Sequence, residues 1–142
     1  MRALLDVNVL IAMLDSDHVH HVQARAWLKA NIKHGWASCP LTQNGCIRIM
    51  SQPGYPNALP AAAVAERLAA ATATNHHVFW PDAVSMLDAG RIAWSAVLGS
   101  RQVTDVYLLA LAVQQDGLLV TLDRAVPLKA VLGAKARHLA VI

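Results

Sequence analysis

The chain has 142 residues, of which 56% are hydrophobic and 15% are charged. This length suits a fold with a substantial hydrophobic core, and this composition excludes a disordered tail. Twelve basic and nine acidic residues give a formal net charge of +3, a mild basic excess that is compatible with a nucleic-acid partner without requiring one.

Strand patterns and amphipathic helix patterns alternate along the chain. Apolar runs predict strands over residues 2–7, 36–39, 76–80, 118–122 and 139–142. Helical spacing predicts helices over residues 7–14, 19–33, 41–50, 61–73, 85–97 and 105–116, and a turn with a short helix over 124–132. This alternation is typical of a mainly parallel sheet covered by helices on both faces. We therefore predict a three-layer α/β/α sandwich that forms a single domain over residues 1–142.

Membrane and secretory signals are weak in this sequence. No uninterrupted apolar run reaches the roughly eighteen residues of a membrane span. Arg2 precedes an apolar segment, as in a signal peptide, but Asp6 and Asn8 interrupt that segment and no small-residue cleavage site follows. Cys39 and Cys46 are too few for a disulfide scaffold and match no zinc motif. We expect a protein of the reducing cytoplasm with no membrane partner.

Three aspartates from distant parts of the chain stand at element boundaries. Asp6 interrupts the apolar run LLDVNVLIAML, Asp105 opens the apolar helix in VTDVYLLALA, and Asp123 ends the strand GLLVTLD. A lone buried carboxylate is costly unless it is paired or bound to a cation, so the charge of Asp6 needs a partner. In a parallel sheet, the strands end and the following helices begin at the same edge. We therefore expect all three aspartates to reach one crevice.

Three neighbouring carboxylates favour a metal site. They repel one another, and one stays protonated unless a cation neutralises them. Hard oxygen ligands at an open edge suit Mg²⁺, with Mn²⁺ as a substitute, and no Cys/His cluster offers a zinc site. Such a metal polarises a phosphodiester and activates water, so the pattern predicts metal-dependent phosphoester hydrolysis. Taken singly, Asp105 has a plainer explanation as a first-turn acid, and Asp123 as a turn residue.

Three segments resemble PIN-domain toxins of the VapC family: LLDVNVLIAML, CPLTQNGCIRIMS and GSRQVTDVYLLALAVQQDGLLVTLDRAV. The resemblance covers nearly the whole chain. It implies a PIN-like sandwich and the toxic, Mg²⁺-dependent endoribonuclease of a type II toxin–antitoxin pair. It also implies a homodimer, a cognate VapB-type antitoxin and RNA, such as tRNA or another structured RNA, as substrate.

The resemblance also implies site residues. Asp6, Asp105 and Asp123 match the acids that hold the metal and carry the catalysis, and Asn8 and Thr121 match polar positions that support them.

The second segment departs from the family pattern at one position. Similar sequences commonly have glutamate directly after the threonine, where this chain has Gln43; its one glutamate, Glu66, lies outside the motif. Gln43 or Asn44 can donate a carbonyl oxygen or orient a metal-bound water, but neither supplies negative charge. We keep Gln43 as a catalytic candidate and expect weaker affinity at a second metal position.

Basic and histidine residues are weaker candidates. Arg48, Arg101 and Arg124 flank the acidic segments and could hold an RNA backbone, or could be ordinary surface charge. The pairs His20–His21 and His76–His77 cannot easily chelate one ion, because adjacent side chains point apart, so we interpret them as surface or packing residues.

Three other functions compete with the ribonuclease. A haloacid-dehalogenase-type phosphatase needs a second carboxylate two residues after the first, where this chain has Asn8. A receiver-like phosphoacceptor needs an acidic pair after the first strand and a lysine late in the sheet, and the chain has neither. A catalytically weakened protein that mainly binds its antitoxin or RNA remains open because of Gln43.

Overall fold

A computed structural model describes all of residues 1–142. Its centre is one five-stranded sheet in the order β3-β2-β1-β4-β5, and every neighbouring pair is parallel. The strands are β1 Ala3–Leu5, β2 Trp36–Ser38, β3 His77–Phe79, β4 Leu118–Thr121 and β5 Leu139–Val141. The first strand therefore lies in the middle of the sheet, and its carboxyl end is flanked by the ends of β2 and β4.

Five α-helices cover the sheet. They are α1 Val7–Leu14, α2 His21–Asn31, α3 Pro40–Met50, α4 Ala61–Thr72 and α5 Val103–Gln114. Short 3₁₀ turns occupy Ile32–His34, Trp94–Ala96, Ser100–Gln102, Leu128–Ala130 and Ala136–His138. None of the helices combines the length and the apolar character needed to cross a bilayer.

Alternating side chains of the central strand divide the core into two layers. Leu4 packs with α5 on one face of the sheet, and Leu5 packs with α1, α3 and α4 on the other. Both leucines are fully buried. The predicted three-layer α/β sandwich with a parallel sheet is confirmed.

The prediction of a helix over residues 85–97 is wrong. This segment consists of turns, a single antiparallel bridge between Ile92 and Val131, and the 3₁₀ turn Trp94–Ala96. Gly90 has φ +76°, a left-handed conformation that ends any helix. Ile92 is nonetheless buried against the α5 layer, so its apolar spacing reflects core packing in an irregular segment.

Candidate active site at the carboxyl edge of the sheet

Asp6 is the N-cap of α1 and follows the central strand directly. Its Oδ1 accepts the backbone N–H of Val7 at 2.7 Å, and its Oδ2 accepts the hydroxyl of Thr121 at 2.6 Å. A carboxylate at a helix N-cap satisfies a free N–H and lies at the positive end of the helix dipole. These two hydrogen bonds favour the ionised form of Asp6, which is only 5% exposed, and so oppose the effect of burial.

Asn8 and Thr121 connect the first strand to the fourth. The amide of Asn8 donates to Oγ1 of Thr121 at 3.3 Å, and its Oδ1 accepts the backbone N–H of Leu122 at 3.2 Å. The Thr121 hydroxyl also accepts the N–H of Asp123 at 3.0 Å. The structure thus joins both predicted supporting residues to Asp6 and Asp123 in one hydrogen-bonded network.

Asp105 lies in the first turn of α5, close to the carboxylates of Asp6 and Asp123. Burial, followed by the charges of Asp6 and Asp123 and a hydrogen bond with Asp123, raises the pKa of Asp105 from 3.8 to about 7. Burial also raises the pKa of Asp6, with a smaller contribution from Asp123, while the hydrogen bonds from Thr121 and Val7 oppose the rise. The three predicted aspartates therefore meet at one edge, and their mutual repulsion is only partly relieved.

The donor set at this edge has the right chemistry for a hard divalent cation. All three predicted ligands offer carboxylate oxygens, and a cation would remove the repulsion that raises the pKa of Asp105. As the side chains stand, however, no three His, Cys, Asp or Glu residues are spaced to enclose one ion. Both oxygens of Asp6 accept internal hydrogen bonds, and Oδ1 of Asp123 accepts the N–H of Ala125 at 2.7 Å. These oxygens each keep a second lone pair, so it is the spacing of the carboxylates that must change for them to enclose one ion.

Two of the three predicted arginines flank the aspartates. Arg124 follows Asp123 directly, and Arg101 lies in the 3₁₀ turn before α5. Gln102 links the two segments, since its Nε2 donates to the carbonyl of Ala125 at 3.3 Å. Both arginines are exposed and neither forms a salt bridge.

Arg48 lies apart from this edge. It occupies the last turn of α3, and the eight residues that separate it from Pro40 correspond to about 12 Å along the helix axis. The structure therefore does not group Arg48 with Arg101 and Arg124.

Gln43 lies near the start of α3, which packs against α1. A Cβ built on Gly45 would come within 2.8 Å of Cγ2 of Val7, the residue after Asp6, so the second turn of α3 lies against the first turn of α1. The side-chain amide of Gln43 donates to Oγ of Ser38 at 2.9 Å. Asn44 is exposed and its side chain makes no hydrogen bond within the protein.

Comparison with known proteins identifies the family. The PIN domain model matches residues 3–131. Ribonuclease VapC44 of Mycobacterium tuberculosis (strain ATCC 25618 / H37Rv) is 54% identical over 142 residues, which are 100% of both chains. The chain belongs to the VapC family of PIN-domain proteins. Ribonuclease VapC29 of the same strain is 46% identical over 87% of this chain and 86% of its own, and Ribonuclease VapC39 is 44% identical over 88% and 91%.

The predicted resemblance to VapC proteins is therefore confirmed. The matched PIN region contains the three aspartates, Gln43 and both supporting residues. The roles of these residues in this PIN domain stay predictions, because neither the fold nor the identity values assign them.

Sequence reasoning missed two side chains that are hydrogen-bonded to each other next to Gln43. Ser38 ends β2 and is fully buried, and its Oγ lies 2.8 Å from Nε2 of His77 on β3. Within the pair His76–His77, only His76 is exposed, so the two histidines do not share one surface environment. A serine at the end of an otherwise apolar buried strand was the available signal, since a buried hydroxyl requires a partner.

Proposed function

We propose that this chain is a divalent-metal-dependent endoribonuclease and the toxic component of a type II toxin–antitoxin pair. The observation that carries the proposal is the convergence of Asp6, Asp105 and Asp123 at one sheet edge, where burial and then mutual repulsion raise the pKa of Asp105. Three relatives that match most or all of the chain bear the name ribonuclease.

Asp6, Asp105 and Asp123 would hold the metal, with Mg²⁺ preferred and Mn²⁺ as a substitute. When bound, this ion would polarise the phosphodiester and lower the pKa of an attacking water. Thr121 and Asn8 hold the Asp6 carboxylate in one orientation through their hydrogen bonds. A bound cation would favour the ionised form of Asp105, whose pKa is raised to about 7 without metal, so metal binding at neutral pH would release protons from this edge.

An RNA substrate is supported by the shape and charge around the aspartates. None of the five surface cavities is lined by Asp6, Asp105 or Asp123, so no enclosing pocket surrounds this edge, at which Asp105 and Asp123 are half-buried. An open edge suits a polymer better than a small metabolite, which normally enters an enclosing pocket. Arg101 and Arg124 are free to contact phosphates on either side of a scissile bond. Structured RNA such as tRNA is the proposed substrate class.

Exposed apolar side chains support protein partners as well. Val19 is 86% exposed, Leu87 88% and Leu98 84%. The family of the chain supports a VapB-type antitoxin and a homodimer, which we include in the proposal, and these exposed side chains are candidates for the contacts. Co-expression with the neighbouring small reading frame, followed by light scattering of the free and bound protein, tests both.

Cleavage of a panel of tRNA and structured RNA tests the enzyme activity. Wild type is incubated with Mg²⁺, with Mn²⁺ and with EDTA, beside Asp6→Asn and the matched surface variant Asp17→Asn. We expect metal-dependent cuts at defined positions by wild type and Asp17→Asn, and none by Asp6→Asn. Cuts that persist unchanged in Asp6→Asn would show that the activity does not come from this edge, and would contradict its assignment.

A second candidate function is a catalytically weakened protein that acts by binding its antitoxin or RNA. The amide at position 43 favours it, because the start of α3 contributes no carboxylate. If wild type binds RNA without cutting it and Gln43→Glu cuts, this second function is correct. If the wild-type protein cuts RNA, a glutamine at position 43 is sufficient for catalysis.

A further inference from the structure

The side chain of Gln102 joins two surface segments that each carry one of the predicted metal ligands. Gln102 ends the 3₁₀ turn before α5, and the first turn of α5 contains Asp105. Its Nε2 donates to the carbonyl oxygen of Ala125 at 3.3 Å, and its Oε1 accepts the backbone N–H of Leu98 at 2.8 Å. Ala125 lies two residues after Asp123. One side chain therefore bridges the start of the Asp105 helix and the turn that follows β4.

The orientation of the Gln102 amide follows from its two partners. Leu98 presents a backbone N–H, which only donates, and Ala125 presents a carbonyl oxygen, which only accepts. The amide oxygen therefore lies towards Leu98 and the amide nitrogen towards Ala125, because a flipped amide would place like groups against each other. The side chain is half-buried, and both ends of its amide have a partner.

The bridge reaches the Asp123 carboxylate through Ala125. The carbonyl of Ala125 accepts from Gln102, while the backbone N–H of Ala125 donates to Oδ1 of Asp123 at 2.7 Å. The backbone N–H of Asp123 donates in turn to Oγ1 of Thr121 at 3.0 Å. The turn after β4 is thus tied to the strand at one end and to Gln102 at the other.

The two bridged segments carry charges that repel. After burial, the charges of neighbouring aspartates, Asp123 among them, disfavour the ionised form of Asp105. Val106 and Val126 belong to one apolar core layer, which holds the body of α5 against the segment after β4. The carboxylates lie at the outer edge of this contact, so their repulsion acts on the surface ends of both segments.

Gln102 supplies the only hydrogen bond between the backbone of residues 121–127 and residues 98–105. Mg²⁺ demands near-ideal octahedral placement of its oxygen ligands. Without the bridge, repulsion would move the backbones of Asp105 and Asp123 apart, and a cation would have to draw them together again before it could bind both.

We infer that Gln102 is a positioning residue that sets the separation of the Asp105 and Asp123 backbones and so prepares this edge for a divalent cation. The inference rests on the proposed function, since this cation is the one that the nuclease would use. Gln102 acts through the two backbone segments and contributes no ligand, because both ends of its amide are occupied. The aspartate side chains can still rotate towards an ion while their backbones stay in place.

Exchange of backbone amides with water, measured by NMR in EDTA, tests the bridge without metal or RNA. Gln102→Met keeps the length of the side chain and removes both hydrogen bonds. The Ala125 N–H is bonded to Asp123 and not to Gln102, yet its exchange should quicken about threefold or more, because the turn is no longer held. Gln115→Met, at the exposed end of α5, is the matched control and should match wild type. Equal exchange of the Ala125 N–H in Gln102→Met and wild type would overturn the inference.

Titration with Mn²⁺, with the free ion measured by electron paramagnetic resonance, tests the positioning role. Gln102→Met and Gln102→Ala should both bind Mn²⁺ about three- to tenfold more weakly than wild type, a smaller loss than for a direct partner of a metal ligand. Gln115→Met should bind as wild type, and Asp6→Asn, which lacks a predicted ligand, should bind poorly. Unchanged or tighter binding in Gln102→Met, or a loss confined to Gln102→Ala, would overturn the role of the two hydrogen bonds.

Melting curves distinguish positioning from a merely structural role. In EDTA, Gln102→Met should melt close to wild type, because the lost hydrogen bonds are exposed and the repulsion is relieved. The rise in melting temperature on adding Mn²⁺ should be smaller than in wild type. An equal drop with and without Mn²⁺ would show that Gln102 only stabilises the fold, and would overturn the inference.

Cleavage kinetics separate this inference from the proposed function. With a cleaved RNA, the Mg²⁺ concentration for half-maximal rate should rise about three- to tenfold in Gln102→Met, while kcat at saturating Mg²⁺ stays near wild type. A lower kcat with an unchanged Mg²⁺ requirement would overturn the positioning role. Failure of wild type to bind Mn²⁺ and to cut RNA would overturn the proposed function and, with it, this role. Metal binding and cleavage by wild type that Gln102→Met leaves unaltered would overturn this inference alone.

Discussion

The hydroxyl of Thr121 donates a 2.6 Å hydrogen bond to Oδ2 of Asp6, a residue 115 positions earlier in the chain. The same oxygen atom of Thr121 accepts from Asn8 and from the backbone of Asp123. Thr121 therefore fixes the distance between the carboxyl ends of β1 and β4. It is also the buried group on which the orientation of the Asp6 carboxylate depends.

Replacing Thr121 by valine tests this dependence. Valine keeps the shape but removes the donor, so we expect a loss of about 1–3 kcal/mol in the free energy of unfolding, measured in urea. RNA cleavage should fall about 10–100-fold, as is typical when a partner of a metal ligand is removed. Thr121→Ser keeps the hydroxyl, so it should retain most of the free energy of unfolding and most of the RNA cleavage activity. Equal losses in the two variants would show that packing of the methyl group, and not the hydroxyl, matters.

Asp105→Asn should stabilise the metal-free protein. The folded pKa of about 7 lies above the ordinary 3.8, so the folded state binds more protons than the unfolded state between these values. The Asp105 carboxyl therefore lowers stability increasingly from pH 3.8 to about 7 and by a constant amount above that. Because this carboxyl is only partly buried, we expect a gain of about 1–2 kcal/mol at pH 8 and a small gain at pH 4.5.

Urea unfolding in EDTA at the two pH values measures this gain, with Asp17→Asn as the exposed control. Adding Mg²⁺ should raise the melting temperature of wild type and not of Asp105→Asn, since only wild type keeps all three carboxylates. A gain that is the same at pH 4.5 and pH 8 would contradict repulsion as its cause.

Gly45→Ala tests the contact between α1 and α3. The added Cβ would lie 2.8 Å from Cγ2 of Val7, and a β-branched side chain cannot easily turn away. Overpacking costs about 1–3 kcal/mol and the higher helix propensity of alanine returns about 1 kcal/mol, so the net loss should reach about 2 kcal/mol.

A double-mutant cycle provides the control for Gly45→Ala. Val7→Ala/Gly45→Ala should be more stable than the sum of the two single changes predicts, because alanine at position 7 leaves room for the new Cβ. Gly54→Ala, where nothing lies within 4 Å, should be nearly silent. Strict additivity would mean that the two helices do not meet at these residues.

His138 makes the fold sensitive to acid. It is 3% exposed, and its Nδ1 accepts the N–H of Lys135 at 2.8 Å. Burial first, then Arg137 and Lys135, lower the pKa of His138, against an opposing contribution from Asp116. The folded pKa is below the unfolded value of 6.5, so the unfolded state binds more protons as the pH falls through that value and stability is lost.

His138→Asn keeps an acceptor near the Nδ1 position and cannot titrate. The free energy of unfolding of wild type should therefore fall more steeply between about pH 7.5 and about pH 5.5 than that of His138→Asn. The exposed His34→Asn provides the control and should follow wild type. Parallel pH profiles for wild type and His138→Asn would contradict a buried neutral imidazole.

Periodicity alone predicts the strand–helix alternation, because core burial forces apolar residues onto one face of each element. The rule that ligands collect at the carboxyl edge of a parallel sheet then predicts the meeting of Asp6, Asp105 and Asp123. The helix prediction over residues 85–97 is wrong because apolar spacing also occurs where an irregular segment is buried. There, Ile92 is buried by a turn and a single bridge, and apolar spacing does not distinguish this arrangement from a helix.

The link from Gln43 to His77 could not be predicted from sequence. Ser38 and His77 are 39 positions apart on neighbouring strands, and their contact depends on a register in which Trp36 pairs with His77. Shifting that register by one residue would turn His77 to the other face of the sheet. Only the three-dimensional pairing shows which of the two adjacent histidines reaches Ser38.

The order of the strands also has a consequence during protein synthesis. The central strand is made first, but its neighbour β4 and Asp123 are made after residue 117. A nascent chain that still lacks β4 has Asp6 without Thr121, and the carboxylate edge does not exist. The carboxylate edge therefore forms only after β4 has joined β1, so a nascent chain that has folded up to α4 cannot carry the proposed nuclease activity.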